Sequence, residues 1–137
     1  MRLQGKHELQ KGETKMDERE KLGKLGEKRA CLYLQRCGYR IVERNFRCRS
    51  GEVDIIAIIE KTLCFIEVKT RRNFNYGLPS EAVNERKRHR IRAAASYYML
   101  CHSEYHEYRE RLDVIELLFM NQKVYLHHLE NAFGEGR

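Results

Sequence analysis

Two short apolar runs lie close together in the middle of the chain, from Val53 to Ile59 and from Leu63 to Val68. Each run is bounded by charged residues, and together they are too polar to form one membrane span. Their β-branched and aromatic residues favour strands, and the Glu60-Lys61 joint is short enough for a turn, although it is not one of the glycine-rich pairs that favour a tight one. We therefore predict a β-hairpin.

Helical spacing of apolar and small residues predicts a first helix from about residue 18 to residue 37, with Gly38 placed to end it. Ser80 or Asn84 can cap a second helix that runs to about Cys101. The remaining patterned segments predict three more strands, at 39–47, 111–119 and 123–129. The predicted fold is therefore α/β, with a mixed central sheet flanked by helices in the order αβββαββ.

The register of the hairpin follows from its turn. Whether the loop has two residues or four, directly paired residues have numbers that sum to 121. Three such pairs then lie on one face: Ile56 with Phe65, Asp54 with Glu67, and Glu52 with Lys69. Directly opposed Cβ atoms are only about 4.5 to 5.5 Å apart, and facing like charges destabilise a sheet. Asp54 opposite Glu67 is therefore unfavourable unless a cation lies between them.

Two carboxylates with an open approach suit Mg²⁺ or Mn²⁺, which bind through one or two carboxylates and keep several waters. Lys69, on the same face as Glu67, can reach the same volume and hold a phosphate or an attacking water. Asp54 ranks above Glu52 as the second acid of the site. The hypothesis fails if the two carboxylates point to different sides of the sheet, or if a cationic side chain fills the site and leaves no room for solvent.

These residues also carry a family resemblance. Asp54 followed by Glu67-x-Lys69 resembles the core of the PD-(D/E)XK, or restriction-endonuclease-like, nuclease superfamily, with Val53 in place of the usual proline. An ordered series of segments over roughly residues 22–133 resembles the YraN-like family of uncharacterised bacterial proteins, which is grouped with Holliday-junction-resolvase-like nucleases. The segments are LGE at 25–27, GYRIVERNFR at 38–47, GEVDIIA at 51–57, FIEVKTR at 65–71, GLPSEAV at 77–83, RLDV at 111–114 and ENAF at 130–133.

The resemblance implies a restriction-endonuclease-like core and a metal-dependent endonuclease, with branched or single-stranded DNA as the expected substrate. It adds the carbonyl of Val68 to Asp54 and Glu67 as a metal ligand, with Lys69 as a catalytic residue. Related nucleases often use a glutamate on the first helix, which favours Glu27 as a further catalytic residue. The alternative for Glu27 is a solvated side chain on a charged helix. The alternative for the whole protein is a non-catalytic nucleic-acid-binding module that retains the nuclease fold.

The charge distribution points toward a polyanionic partner. The chain has a formal charge of +7 and a pI near 9.3. The window from Lys69 to Arg92 has eight Lys or Arg against two Glu, which gives +6. The basic run at 85–92 occupies the first turns of the second helix, where the macrodipole disfavours each cation by a few tenths to about 1 kcal/mol. Phosphate contact is the preferred explanation and simple solubility the alternative. The predicted nucleic-acid contacts are Arg71, Arg72, Arg86, Lys87, Arg88 and Arg90.

Length and composition set the remaining limits. With 137 residues, 42% of them hydrophobic, the chain fits one domain at 18–133, preceded by a polar, flexible tail at 1–17 and followed by a loose C-terminus at 134–137. Five cysteines without paired spacing argue against a disulfide framework, and Cys37 and Cys64 lie in apolar patterns. The chain shows neither a signal peptide nor a membrane span, so we expect a cytoplasmic protein. A homodimer is an expectation by analogy with junction-cutting enzymes, without a visible seam.

Several polar and aromatic residues have two interpretations. Phe74 and Tyr76, in the loop after the hairpin, either stack on unpaired bases or cover the core. His102 and His106 have the spacing of a zinc pair, but an exposed polar linker is the preferred interpretation.

Two adjacent histidines and one acid are interpreted as structural. His127 and His128 are neighbours in a predicted strand, so they point to opposite faces and cannot easily share a metal. Asp113 is expected to pair near Arg111 or with a backbone donor.

Overall fold

In the part of the chain that the structure describes, five strands and two long helices follow one another in the predicted order. The computed structural model describes residues 17–72 and 84–133. The elements are α1 (Glu18–Arg36), β1 (Arg40–Cys48), β2 (Gly51–Ile59), β3 (Thr62–Arg71), α2 (Glu85–Cys101), a 3₁₀ turn (Ser103–Tyr105), β4 (Arg109–Met120) and β5 (Lys123–Leu129). This order confirms the predicted αβββαββ arrangement.

The strands form one mixed sheet in the order β1-β2-β3-β4-β5. Neighbours are antiparallel except β3 and β4, which are parallel. That exception follows from the connection, because a parallel pair needs a long crossover, and α2 lies between β3 and β4 in the chain.

Each helix covers one face of the sheet. The face under α2 holds a core of Val53, Ile56, Ile58, Leu63, Phe65, Ile91, Ala94, Ala95, Tyr98, Val114 and Phe133. The face under α1 holds Ala30, Cys31, Leu34, Tyr39, Ile55, Ala57, Cys64, Ile66, Ile115 and Leu117. The central strands are apolar on both sides because both of their faces are buried. No helix in the described part of the chain is long and apolar enough to cross a membrane.

Local signals set the ends of the helices. Asp17 caps α1 by accepting from the Glu20 N–H, and Gly38 ends that helix with a φ of 94°. Asn84 caps α2, because its Oδ1 accepts from the Lys87 N–H at 2.9 Å. Of the two predicted caps for the second helix, Asn84 is therefore the one used.

Two glycines let the helices approach the same end of the sheet. A Cβ atom at Gly26 of α1 would overlap the Thr70 side chain on β3. A Cβ atom at Gly51, where β2 begins, would overlap the backbone carbonyl of Arg90 on α2. Gly23, by contrast, has no neighbouring atom within 4 Å of such a position and borders open space. Both helices are thus held close to the charged end of β2 and β3.

The segment after α2 is mostly exposed, as predicted for a polar linker, but three of its ring side chains make contacts that the sequence did not predict. His102 stacks on Tyr98 with ring centroids 3.8 Å apart, and Tyr105 and Tyr108 pack against the core under α2. Since α2 ends at Cys101, His102 and the exposed His106 do not share a helical face, and the zinc alternative loses its geometric basis.

The prediction for Cys37 is wrong, and several further predictions concern residues that the structure does not describe. Cys37 is exposed rather than part of an apolar surface, whereas Cys64 is buried as expected. The predictions for Phe74 and Tyr76, for the tail at 1–16 and for the end at 134–137 concern residues that the structure does not describe.

Candidate active site

The β2–β3 hairpin keeps the predicted register only in its apolar part. From the pair Ile59–Thr62 to the pair Ile55–Ile66, the residue numbers of each pair sum to 121, as predicted. Beyond that point the described strands no longer pair, so the predicted cross-strand pairs of Asp54 with Glu67 and of Glu52 with Lys69 are wrong. Cross-strand pairing instead matches Glu52 with Arg47 of β1, at 3.6 Å between Arg47 Nε and Glu52 Oε1.

A side chain causes the two strands to separate. Asp54 Oδ2 accepts a hydrogen bond from the backbone N–H of Val68 at 2.8 Å. In a continued ladder Val68 would face Val53, whose carbonyl would accept that N–H. The Asp54 carboxylate therefore competes with the backbone ladder, as short polar side chains do elsewhere. The N–H and C=O of a strand residue point to the same side, so the Val68 carbonyl also faces the gap between the strands.

A cavity of about 620 Å³ opens where β2 and β3 separate. Its lining residues are Arg19, Leu22, Gly23 and Glu27 of α1, Asp54 of β2, Glu67, Val68, Lys69, Thr70 and Arg71 of β3, Arg72, and Lys87 of α2. The predicted acids Asp54 and Glu67 and the predicted Lys69 thus line one cavity. The two carboxylates do not point to opposite sides of the sheet, so the hypothesis passes its first structural condition.

Two cationic side chains do approach the site, but they do not fill it. Glu67 has a side chain only 4% exposed, and its Oε2 lies 3.1 Å from Lys87 Nζ and 3.7 Å from Lys69 Nζ. Lys87 was predicted as a phosphate contact, yet its ammonium forms the shorter ion pair with this acid. The remaining cavity volume leaves room for solvent, so the site is partly neutralised but not closed.

The surroundings of Asp54 disfavour the ionised form of its carboxyl group. Burial and the nearby negative charge of Glu67 together raise the pKa of Asp54 to about 7, against the opposing effect of the Val68 N–H. Burial acts to lower the pKa of Lys87, but the charge and hydrogen bond of Glu67 outweigh it and raise that pKa. The first acid therefore resists ionisation as long as no further cation is near.

Glu27 joins the same site from α1. Its side chain is mostly buried, lines the cavity, and places Oε1 3.8 Å from Arg44 Nη2. Its negative charge also contributes to the raised pKa of Asp54. These observations do not fit the alternative of a solvated glutamate, and the catalytic role of Glu27 stays a prediction.

The basic run of α2 divides among several different environments. Arg88 and Arg92 lie over the Phe133 ring, and Arg92 Nη2 donates to the Phe133 carbonyl at 3.1 Å, so the segment that ends at Phe133 is docked on the domain. Arg86 is exposed, and the backbone of Arg90 packs against the glycine that begins β2.

The two predicted nucleic-acid contacts that lie outside α2, Arg71 and Arg72, line the cavity directly. Contact with nucleic acid stays a prediction for all six residues. The sequence did not predict that Lys87 contacts Glu67 in the cavity. The signal available for it was its position in the first turn of α2, the end of the helix that points toward the site.

The donor set suits a small divalent cation better than an all-protein metal cage. Within 17–72 and 84–133, no three His, Cys, Asp or Glu side chains come together as a metal-binding group. Mg²⁺ and Mn²⁺ commonly use one or two carboxylates and several waters. Asp54, Glu67 and the Val68 carbonyl meet that requirement, and the repulsion that raises the pKa of Asp54 is what a bound cation would relieve.

A fully buried aspartate, Asp113, lies outside the cavity lining and has several hydrogen-bond donors around its carboxylate. Asp113 accepts from Arg111 through both carboxylate oxygens, from His128 Nε2 at 2.8 Å and from the Asn131 N–H at 2.9 Å. This confirms its interpretation as structural. His128 is 7% exposed and His127 69% exposed, which confirms that the two histidines face opposite sides. The bond from His128 to Asp113 and its contact with the Tyr33 hydroxyl at 2.8 Å were not predicted.

Comparison with known sequences supports the family resemblance. Residues 26–117 match the profile of an uncharacterised protein family, UPF0102. A UPF0102 protein of Caldanaerobacter subterraneus subsp. tengcongensis is 43% identical over 115 residues, which cover 82% of this chain and 93% of the relative. Relatives from Alkaliphilus oremlandii (45% over 114 residues, 82% and 97%) and Clostridium acetobutylicum (48% over 115 residues, 82% and 93%) carry the same family name. This chain therefore belongs to the uncharacterised protein family UPF0102, the YraN-like family.

Proposed function

We propose that this protein is a metal-dependent endonuclease of the restriction-endonuclease-like superfamily, which hydrolyses phosphodiester bonds in nucleic acid, with branched or single-stranded DNA as the expected substrate. One observation carries the proposal. Asp54 and Glu67 come from separating strands into one open cavity beside Lys69, and the pKa of Asp54 is raised to about 7 partly by Glu67. Perturbed acids in a cleft next to a lysine are typical of catalytic sites.

Each side chain has a distinct role in this proposal. Asp54, Glu67 and the carbonyl of Val68 would hold Mg²⁺ or Mn²⁺, and the Val68 N–H fixes the orientation of the Asp54 carboxylate. A bound divalent ion would supply Lewis-acid polarisation of the phosphate and a lower pKa of bound water. Lys69 would orient the attacking water or stabilise negative charge on the phosphate.

Binding of the nucleic-acid backbone is assigned to the cavity arginines. Arg71 and Arg72 follow directly after the E-x-K residues and line the same cavity. Contacts between cationic side chains and phosphates release counterions, so binding should weaken steeply as salt concentration rises. Arg71→Gln and Arg72→Gln should each reduce the slope of log affinity against log salt by about one.

The direct test is cleavage of a panel of labelled DNA and RNA forms in Mg²⁺ or Mn²⁺. Glu67→Gln and Lys69→Met should each lower the cleavage rate by about 100-fold or more, as expected for the loss of a charge-stabilising group. Glu110→Gln, which changes an exposed glutamate of β4, is the matched control and should keep the rate of the unchanged protein. Equal rates in all three variants, or the absence of cleavage across the panel, would contradict the proposal.

A specific observation favours a second candidate, a nucleic-acid-binding module without catalysis. Lys87 already neutralises Glu67 at 3.1 Å, as a retained but inactive site would require. This candidate predicts nucleic-acid binding that persists in EDTA and is unchanged by Glu67→Gln, together with no turnover on any substrate. The endonuclease proposal predicts turnover and its loss in that variant.

A further inference from the structure

Of the cationic side chains that the structure describes, Lys87 lies closest to the Glu67 carboxylate. Its Nζ lies 3.1 Å from Glu67 Oε2, whereas Lys69 Nζ lies 3.7 Å from the same oxygen. The Lys87 side chain is 33% exposed, so its ammonium reaches the cavity while keeping access to water. One carboxylate oxygen of the site thus has two ammonium groups near it.

The position of α2 does not depend on this ion pair. Ile91, Ala94, Ala95 and Tyr98 bury the helix against the sheet, and its first turn is capped by Asn84. The backbone at Arg90 is also in close contact with the start of β2. Because a lysine has a long, flexible stem, its ammonium can leave Glu67 without any movement of the helix.

A divalent ion and the Lys87 ammonium are competitors for Glu67. Both are positive and both need the same buried carboxylate, so their mutual repulsion in a partly buried site opposes simultaneous contact. Lys69 differs from Lys87, because its backbone belongs to a paired strand of the sheet and its ammonium is already farther from the oxygen.

We propose that Lys87 is an exchangeable counter-ion, which neutralises Glu67 in the metal-free protein, is displaced by the divalent cation, and then binds a phosphate of the nucleic acid. The inference rests on the proposed function and extends it by assigning a positioning and substrate-binding residue. It explains why the basic run of α2 begins at the acidic site. It also couples metal binding to substrate binding, because one event frees the group that the other uses.

The first test is the affinity for Mn²⁺ without nucleic acid, measured by titration calorimetry or by the electron paramagnetic resonance signal of free Mn²⁺. Lys87→Gln and Lys87→Met remove the competing ammonium and should bind Mn²⁺ at least about tenfold more tightly, which corresponds to about 1.4 kcal/mol. Lys87→Arg keeps the charge and should not tighten binding.

Arg86→Gln is the matched control, because it removes one positive charge from the same helical turn at an exposed side chain. Screening by solvent and salt should limit its effect on Mn²⁺ affinity to about twofold. If the Lys87 variants bind Mn²⁺ as the unchanged protein does, or more weakly, the exchange does not occur.

The second test is oligonucleotide binding with and without Ca²⁺ as the divalent cation. Lys87→Gln should change affinity little in EDTA, where the ammonium is held by Glu67, and should weaken it severalfold in Ca²⁺, where the ammonium is free. Arg86→Gln should have the same effect in both conditions. An equal effect of Lys87→Gln in EDTA and Ca²⁺ would overturn the exchange.

The two tests separate this inference from the proposed function. If the unchanged protein binds Mn²⁺ and cleaves DNA while Lys87→Gln leaves the Mn²⁺ affinity unaltered, only the exchange is wrong. If the unchanged protein and Asp54→Asn show the same lack of Mn²⁺ binding, the metal site and the exchange are both wrong.

Discussion

Asp54, which is half-buried, and Asp113, which is fully buried, both lie on central strands, yet their pKa values move in opposite directions. Burial, followed by the charge of Glu67, raises the pKa of Asp54 to about 7. Burial also acts to raise the pKa of Asp113, but hydrogen bonds from His128, Arg111 and the backbone of Asn131 outweigh it and hold that pKa below its ordinary range. The difference lies in the donors that surround each carboxylate.

This contrast separates a structural acid from a candidate functional one. Asp113 is fully enclosed and its carboxylate is matched by a guanidinium, an imidazole and a backbone N–H. Among the described residues, the hydrogen-bond donor that reaches Asp54 is the Val68 N–H, and another acid lines the same cavity. A buried acid in that condition destabilises the fold unless a ligand compensates it, which is the physical basis for expecting a cation there.

The largest effect should come from removing the charge of the structural acid. Asp113→Asn leaves the Arg111 guanidinium without its buried partner, so the free energy of unfolding should fall by about 3 to 5 kcal/mol. Because the pKa of Asp113 is lowered by folding, its ionised form stabilises the protein above about pH 4 and that contribution is lost as the pH falls further. Urea unfolding of the unchanged protein and of Asp113→Asn at pH 7 and pH 3.5 measures the loss of stability and its dependence on pH. A loss below about 1 kcal/mol at pH 7 would break the contrast.

The same substitution at the candidate site should have the opposite sign. Asp54→Asn keeps an acceptor for the Val68 N–H and removes the repulsion with Glu67, so at pH 8 without metal the variant should be more stable by on the order of 2 kcal/mol. The raised pKa means that the folded state retains the Asp54 proton between about pH 4 and pH 7. The unchanged protein should therefore lose stability as the pH rises through that window, and the difference from the variant should vanish near pH 4.

Melting temperatures of the two proteins across that pH range, in EDTA, test this sign. A variant that is less stable than the unchanged protein at pH 8 would contradict it. Saturating Mg²⁺ should reverse the order, because a ligand that binds only the folded state adds stability, and the variant lacks one of the two carboxylates.

A smaller effect is expected from the histidines on β5. His128→Gln replaces the donor to Asp113 and should lower the free energy of unfolding by about 1 to 2 kcal/mol, since the hydrogen bond goes to a buried charged group. His127→Gln is the adjacent control: its side chain is 69% exposed and lies 3.5 Å from Glu116 Oε1, a solvent-screened contact whose loss should cost less than about 1 kcal/mol. Denaturant midpoints of the two variants give the comparison. Equal losses would show that the network around Asp113 does not need the imidazole.

Periodicity and turn length were sufficient for most of the fold. The element order, the hairpin register between Ile55 and Ile66 and the cap at Asn84 were all predicted, because each depends on neighbours in sequence or on a short turn. The register failed at Asp54, where a side chain accepts the N–H that the ladder would use. That competition depends on the local positions of two groups, and alternation of polar and apolar residues does not encode it.

The candidate site was predicted in part. Asp54, Glu67 and Lys69 share a cavity as expected, whereas the contact of Lys87 with Glu67 depends on where α2 crosses the sheet. That crossing is fixed by long-range packing between Gly51 and Arg90, which no local pattern reveals. The role of His128 was within reach, because the β4–β5 register around Asn121-Gln122 pairs it with Ile115, on the same face as Asp113.

The central claim is that partial burial and the charge of Glu67 raise the pKa of Asp54 to about 7, and that a bound divalent cation lowers it. A ¹³C NMR titration of the Asp54 carboxyl carbon, assigned with Asp54→Asn, measures this directly in EDTA and in saturating Mg²⁺. We predict an apparent pKa near 7 without metal and a fall of about 1 to 3 pH units with Mg²⁺. A pKa near 4 in EDTA that does not change with Mg²⁺ would contradict the account.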